Sequence, residues 1–208
     1  MTAESALRMR DPALLYWLGG FVLLLLGLGL AGELVNPWLR YDREAIAAGQ
    51  VWRLVSCHLV HLNLWHLGMN LAGFLLCCYF FVDVYDRRQF LLWLGLTAPG
   101  VGLAIYFIDH APGYYVGLSG LLHGWLVLAL VTGFRTHPWL HGGVLLIIAA
   151  RLLWEQLPGY DRGYLRHLID GDVYVNGHLY GALGGLIIAM ALVAAGRGVG
   201  PHPSHDGG

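Results

Sequence analysis

An all-α membrane protein with six spanning helices is the fold class this sequence predicts, on three observations. The chain is 57% hydrophobic and only 12% charged, against about 25% charged residues in soluble domains. Its apolar residues fall into six long runs, each near the ~20 residues a bilayer crossing needs. Every basic residue is arginine, and all but Arg151 lie outside those runs. The runs are 14–34, 57–82, 90–108, 117–134, 142–157 and 173–195, the fifth being the shortest. They divide the chain into a cytoplasmic N-terminal segment 1–13, a six-helix domain 14–195 and a flexible tail 196–208 rich in Gly, His and Pro.

The first run is too long for a signal-peptide core and lacks an Ala-x-Ala cleavage site, so it reads as a retained span. The second opens with His58-Leu-Val-His61-Leu-Asn63-Leu-Trp65-His66 and continues to Asn70. His66 and Asn70, four residues apart, share a helix face, and both donate hydrogen bonds, so they can clamp one developing negative charge or glue two helices together. His61 falls roughly 140° round the helix from His66 at ~100° per residue. That position suits a residue holding the helix entrance, and His58 is read the same way. Cys57, Cys77 and Cys78 form no disulfide framework and read as small packing residues.

The third run carries no Asp, Glu, His or Arg before Asp109, and the loop after it holds Pro112-Gly113. The fourth opens with Gly117-Leu118-Ser119-Gly120-Leu-Leu-His123-Gly124, a serine between glycines at the mouth of a membrane helix. Burying an unpartnered hydroxyl in hydrocarbon costs ~2–7 kcal/mol. Taken alone, Ser119 either bonds the preceding turn or meets a partner from another span. The fifth run contains Arg151 and Glu155, an i, i+4 pair of opposite charge. Ionisable residues within a span are functional candidates, and the pair is read as mutual neutralisation or as contact with a polar group of a substrate.

The sixth run supplies the partner. His178, Gly181 and Gly185 are spaced i, i+3, i+7, which puts a histidine on a Gly-x-x-x-Gly stripe, and Gly120-x-x-x-Gly124 forms a matching stripe beside Ser119. If the stripes meet, His178 reaches the Ser119 hydroxyl as base to nucleophile.

Other function classes fit less well. A net charge of −1 with no basic block gives no footprint for nucleic acid. Three histidines crowd the second run, but no His-Glu-x-x-His pattern or nearby carboxylate accompanies them, so neither a metal nor any other cofactor is expected. Asp86, Asp109, Asp170 and Asp172 fall in loops or at span edges, against an aspartyl mechanism. Arg8, Arg10, Arg87, Arg88, Arg135 and Arg197 would share one side of the membrane, and Arg40, Arg43, Arg53, Arg162 and Arg166 the other. The totals nearly balance, but the short loops hold Arg87, Arg88 and Arg135. Both termini are therefore expected in the cytoplasm and Ser119 near the outer face.

Trp52-Arg53, His61-x-x-x-x-His66-x-x-x-Asn70, Gly117-x-Ser119-Gly and His178-x-x-Gly181-x-x-x-Gly185 stand in an order and spacing that resembles the rhomboid family of intramembrane serine proteases. The resemblance covers runs two to six. It implies the six-helix rhomboid fold, Ser119 as nucleophile, His178 as general base, and His66, Asn70 and the Ser119 backbone N–H as oxyanion hole. Many rhomboids carry a tyrosine four residues after the serine, stacked on the histidine; here the residue is His123. It packs on His178, bonds to it, or sits inside the bundle. The run through His123-Gly124, with Leu152-Leu-Trp154-Glu155-Gln156 and His178-Leu-Tyr180-Gly-Ala, resembles the rhombosortase subfamily. That implies a bacterial inner-membrane enzyme opening to the periplasm. Its partners would be the bilayer and single-pass substrates bearing a C-terminal Gly-Gly, apolar helix and basic tail. The alternatives are a generic rhomboid protease of other single-pass substrates and a non-enzymatic binder that holds clients in the same groove.

Overall fold

The computed structural model describes residues 13–81, 86–109 and 113–196; the expected N-terminal segment up to residue 12, Pro112 and the tail from 197 lie outside the described residues. The described elements are α1 (Ala13–Leu30), α2 (Gly32–Leu39), β1 (Tyr41–Asp42), α3 (Arg43–Ala47), α4 (Arg53–Ser56), α5 (Leu64–Phe81) and α6 (Arg87–Phe107). They are followed by β2 (Tyr114–Tyr115), α7 (Ser119–Thr132), α8 (Pro138–Glu155), α9 (Arg166–Ile169) and α10 (Val175–Ala194). Helices α1, α5, α6 and α10 are long and apolar enough to cross a membrane. Helix α7 is apolar but has only 14 residues, about 21 Å against a hydrocarbon core of ~30 Å.

Several expected boundaries shift. The first run ends at Leu30 and its remainder belongs to α2. The second run becomes helical only at Leu64, so 57–63 is a connecting segment and the helical-wheel position of His61 does not apply. The fifth begins earlier, at Pro138, whose fixed φ and missing N–H suit a first helical position. Asp86 and Gln89 form a capping box that starts α6, satisfying backbone donors that the first turn leaves open.

Helix α7 stands at the centre, buried on nearly every side. Its Trp125 packs on Trp93 of α6 at 4.7 Å and on Phe74 of α5 at 5.2 Å, and Phe21 of α1 meets the same Phe74. On the other side α10 packs so closely that a Cβ on Gly120 would lie 2.7 Å from the Gly177 carbonyl oxygen, and one on Gly124 2.6 Å from that of Gly181. The two glycine stripes therefore meet.

The segment between α1 and α5 is tied to the bundle by arginines. Arg53, 4% exposed, donates to Gln50 Oε1 and to the carbonyl oxygens of Arg40 and Pro37 at 2.8–2.9 Å. Arg43 donates to the Ile105 and Tyr106 carbonyls at the end of α6, and Arg40 lies 3.7 Å over the Tyr114 ring. These contacts account for arginines that do little for the charge balance. The antiparallel pairing of Tyr41 with Tyr115 and Asp42 with Tyr114 joins this segment to the strand before Ser119. Cys57 and Cys77 are buried, and all three cysteines are free.

Candidate active site

Ser119 is the first residue of α7, where backbone N–H groups have no partner within their own helix. Gly117 sets the approach. Its φ of +122° belongs to the left-handed side that only glycine adopts freely, and a Cβ there would lie 2.9 Å from His66 Nε2. The Gly117 N–H donates to the Cys57 carbonyl, and its own carbonyl accepts from the Tyr115 hydroxyl at 3.0 Å. His58 Nε2 lies 3.0 Å from the Ala98 carbonyl and Nδ1 3.5 Å from the Tyr115 hydroxyl. Burial lowers His58 to about 4, so it is neutral and braces the loop from behind.

The Ser119 Oγ lies 3.0 Å from His178 Nε2. His123, one turn along α7, stacks on His178 with centroids 4.3 Å apart and planes 19° from parallel, and its Nδ1–H donates to the Ser119 carbonyl at 2.8 Å. The stack that a tyrosine would supply is thus made by an imidazole. On the far side of His178, Nδ1 lies 3.0 Å from Glu155 Oε2. The other carboxylate oxygen, Oε1, accepts from Arg151 Nε at 3.0 Å, and Arg151 also donates to the Tyr160 hydroxyl at 2.7 Å.

His66 and Asn70 stand on one face of α5 across from Gly117. The Leu62 N–H approaches His66 Nδ1 at 3.4 Å, which leaves the Nε2 edge toward Gly117. Asn70 Nδ2 donates one hydrogen to the His66 carbonyl at 3.0 Å and has a second to give. His61 is buried, its ring edge-on to His66 at 5.1 Å; neither of its nitrogens makes a hydrogen bond.

A cavity of about 1110 Å³ opens onto this group, lined by Ser119, His178, His66 and Asn70 at one end and by apolar side chains such as Phe80 and Leu126 at the other. Neither Arg151 nor Glu155 lines it; Glu155 is buried against His178, and the half-exposed Arg151 reaches the Tyr160 loop. Among the described residues no cluster of three His, Cys, Asp or Glu side chains is arranged to hold a metal ion.

The Glu155 contact with His178 was not expected from the sequence. Its one signal is a lone carboxylate near the close of the fifth run, with His178 near the opening of the sixth, and the i, i+4 arginine gives that carboxylate a sufficient local partner. The His58–Tyr115 brace also escaped, because it joins residues 57 positions apart.

The family described as Rhomboid domain matches residues 48–195. Among curated proteins, an uncharacterized protein of Mycobacterium tuberculosis is 28% identical over 155 residues, covering 71% of this chain and 61% of the relative. An uncharacterized protein of Mycobacterium leprae is 26% identical over 197 residues, covering 88% of this chain and 75% of the relative. The chain thus spans about six-tenths of the length of the first of these.

Proposed function

The chain belongs to the rhomboid family, and from that membership we propose that it is an intramembrane serine endopeptidase with Ser119 as nucleophile and His178 as general base. The observation that carries the reading is the 3.0 Å approach of Ser119 Oγ to His178 Nε2 where both line a cavity of about 1110 Å³. A serine hydroxyl is a poor nucleophile until a neutral imidazole takes its proton. As Oγ bonds to the scissile carbonyl carbon, its proton passes to Nε2 and the carbonyl π pair moves onto oxygen. His66 Nε2–H, the free Asn70 hydrogen and the Ser119 N–H are the donors that would meet this oxyanion, with the positive end of the α7 dipole behind them. Nε2 then returns the proton to the departing amine nitrogen as the C–N bond breaks. Water resolves the acyl-enzyme by the same exchange in reverse.

In this reading six helices, α1, α5, α6, α7, α8 and α10, cross a bacterial inner membrane as one domain over residues 14–195. The termini are cytoplasmic and the cavity opens to the periplasm. Helix α7 is shorter than the bilayer core, so water entering the cavity meets Ser119 below the surface, where irregular backbone lining a cavity is tolerated.

The finer reading is the rhombosortase type. It is supported by the His123–His178 stack, where many rhomboids use tyrosine. Its substrate is an exported protein anchored by a C-terminal Gly-Gly, apolar helix and basic tail. Glycine weakens a helix by ~1 kcal/mol per residue relative to alanine, so unwinding into the cavity is easiest at such a pair. The test uses the full chain in proteoliposomes with a client of this design. The client is expected to lose its anchor, and a version with Leu-Leu in place of Gly-Gly to resist. Equal cleavage of both leaves a generic rhomboid protease. No cleavage of either, with no labelling of Ser119 by a fluorophosphonate, defeats the protease reading itself.

A further inference from the structure

We propose that Glu155 is a positioning residue for His178, so that the site works as a Ser119–His178–Glu155 triad rather than a dyad; this rests on the serine-protease reading above. The Glu155 side chain is 2% exposed, and placing an ion at such depth costs several kcal/mol unless every lone pair is used. Both oxygens are used, for different ends. Arg151 takes Oε1 and is itself tethered by Tyr160. Mutual neutralisation needs no more than that, yet Oε2 is directed at His178 Nδ1, on another helix, at 3.0 Å.

A carboxylate only accepts hydrogen bonds. Nδ1 must therefore carry the hydrogen, and the Nε2 lone pair faces the Ser119 hydroxyl. With His123 stacked on one face of the ring and Glu155 holding one edge, the imidazole cannot turn away from Oγ. The charged groups around His178 are Glu155 and Arg151 from α8, with His123 from α7 and His66 from α5 as titratable neighbours. When Nε2 takes the serine proton, the imidazolium lies between Ser119 and a fixed negative charge. The Nδ1 hydrogen stays on nitrogen and Glu155 remains ionised throughout.

Glu155→Gln distinguishes this from packing. In that variant Arg151 holds the amide oxygen and the NH₂ faces Nδ1, which forces the ring hydrogen onto Nε2 and disables the base. Fluorophosphonate labelling and client cleavage by the purified full chain are expected to slow by about 10²–10⁴-fold, with KM little changed and the acidic limb of the pH–rate profile moved to lower pH. Glu155→Asp is expected to recover part of the rate. In the wild-type protein, nitrogen-15 histidine spectra, with His178 assigned by its loss in His178→Ala, should show its proton on Nδ1; this measurement does not depend on the folding of any Glu155 variant. A Glu155→Gln protein with wild-type rate and pH profile, or a wild-type His178 protonated on Nε2, overturns the role of Glu155. Ser119→Ala and His178→Ala run alongside: activity persisting in them sinks the serine reading itself, whereas dead controls beside a normal Glu155→Gln sink only the triad.

Discussion

Gly181 of α10 lies directly against the backbone carbonyl of Gly120 on α7, one residue from Ser119 and three from His178. The obstacle is backbone, so no side-chain rotation can relieve a Cβ placed there. Gly181→Ala is expected to push the helices apart, lower stability by about 1–3 kcal/mol and slow Ser119 labelling at least tenfold. Gly143→Ala is the control, since a Cβ at that α8 position meets nothing within 4 Å. Equal melting temperatures and labelling rates for the two variants would mean that the glycine contact does not set the Ser119–His178 distance.

The second prediction concerns the oxyanion donors. Asn70 is anchored by one hydrogen to the His66 carbonyl, and its second is free for substrate. Asn70→Ala is expected to keep its fold and KM while kcat falls by roughly 10²–10³. Full turnover would reduce Asn70 to a packing residue.

His58 gives the third, through pH. Burial lowers its folded-state value to about 4 from an ordinary 6.5, so the unfolded chain binds a proton that the folded one refuses. The sign follows: its contribution is intact above about pH 6.5 and is lost as pH falls from there toward 4. Between pH 7 and pH 5 the wild type should lose more melting temperature than His58→Gln, which carries a neutral donor for the Ala98 carbonyl. Parallel melting curves for the two proteins would rule this out.

Orientation gives the fourth. Gly113 is exposed just before β2, and a Cβ there meets nothing within 4 Å. In intact cells Gly113→Cys, in a background from which Cys57, Cys77 and the half-buried Cys78 have been removed, should react with a membrane-impermeant maleimide from outside, while the cysteine-free parent should not. Reaction only after permeabilisation would reverse the topology.

By itself the sequence determined the class of molecule, the helix-bearing runs, and Ser119, His178, His66 and Asn70 as the residues to watch. These are legible because run length, the i, i+4 spacing of His66 and Asn70 and the glycine repeats are properties of a single helix, and a single helix is local in the chain. The same locality misled at the entrance to the second run. There the apolar pattern extends back to Cys57, but the chain turns helical only at Leu64, because 57–63 is committed to contacts with α6 and the strand before Ser119, among them those of His58. Only the tertiary structure decided that Arg53 holds backbone carbonyls of its own loop and that Tyr115 holds Gly117. It also decided where the free oxygen of Glu155 points. An ion pair four residues apart already satisfies the sequence, since neutralisation is a local requirement. That the second oxygen meets His178, 23 positions away, depends on how α8 packs on α10, where Leu152 and Ala182 share one buried cluster, a matter of contact between helices rather than of spacing along one.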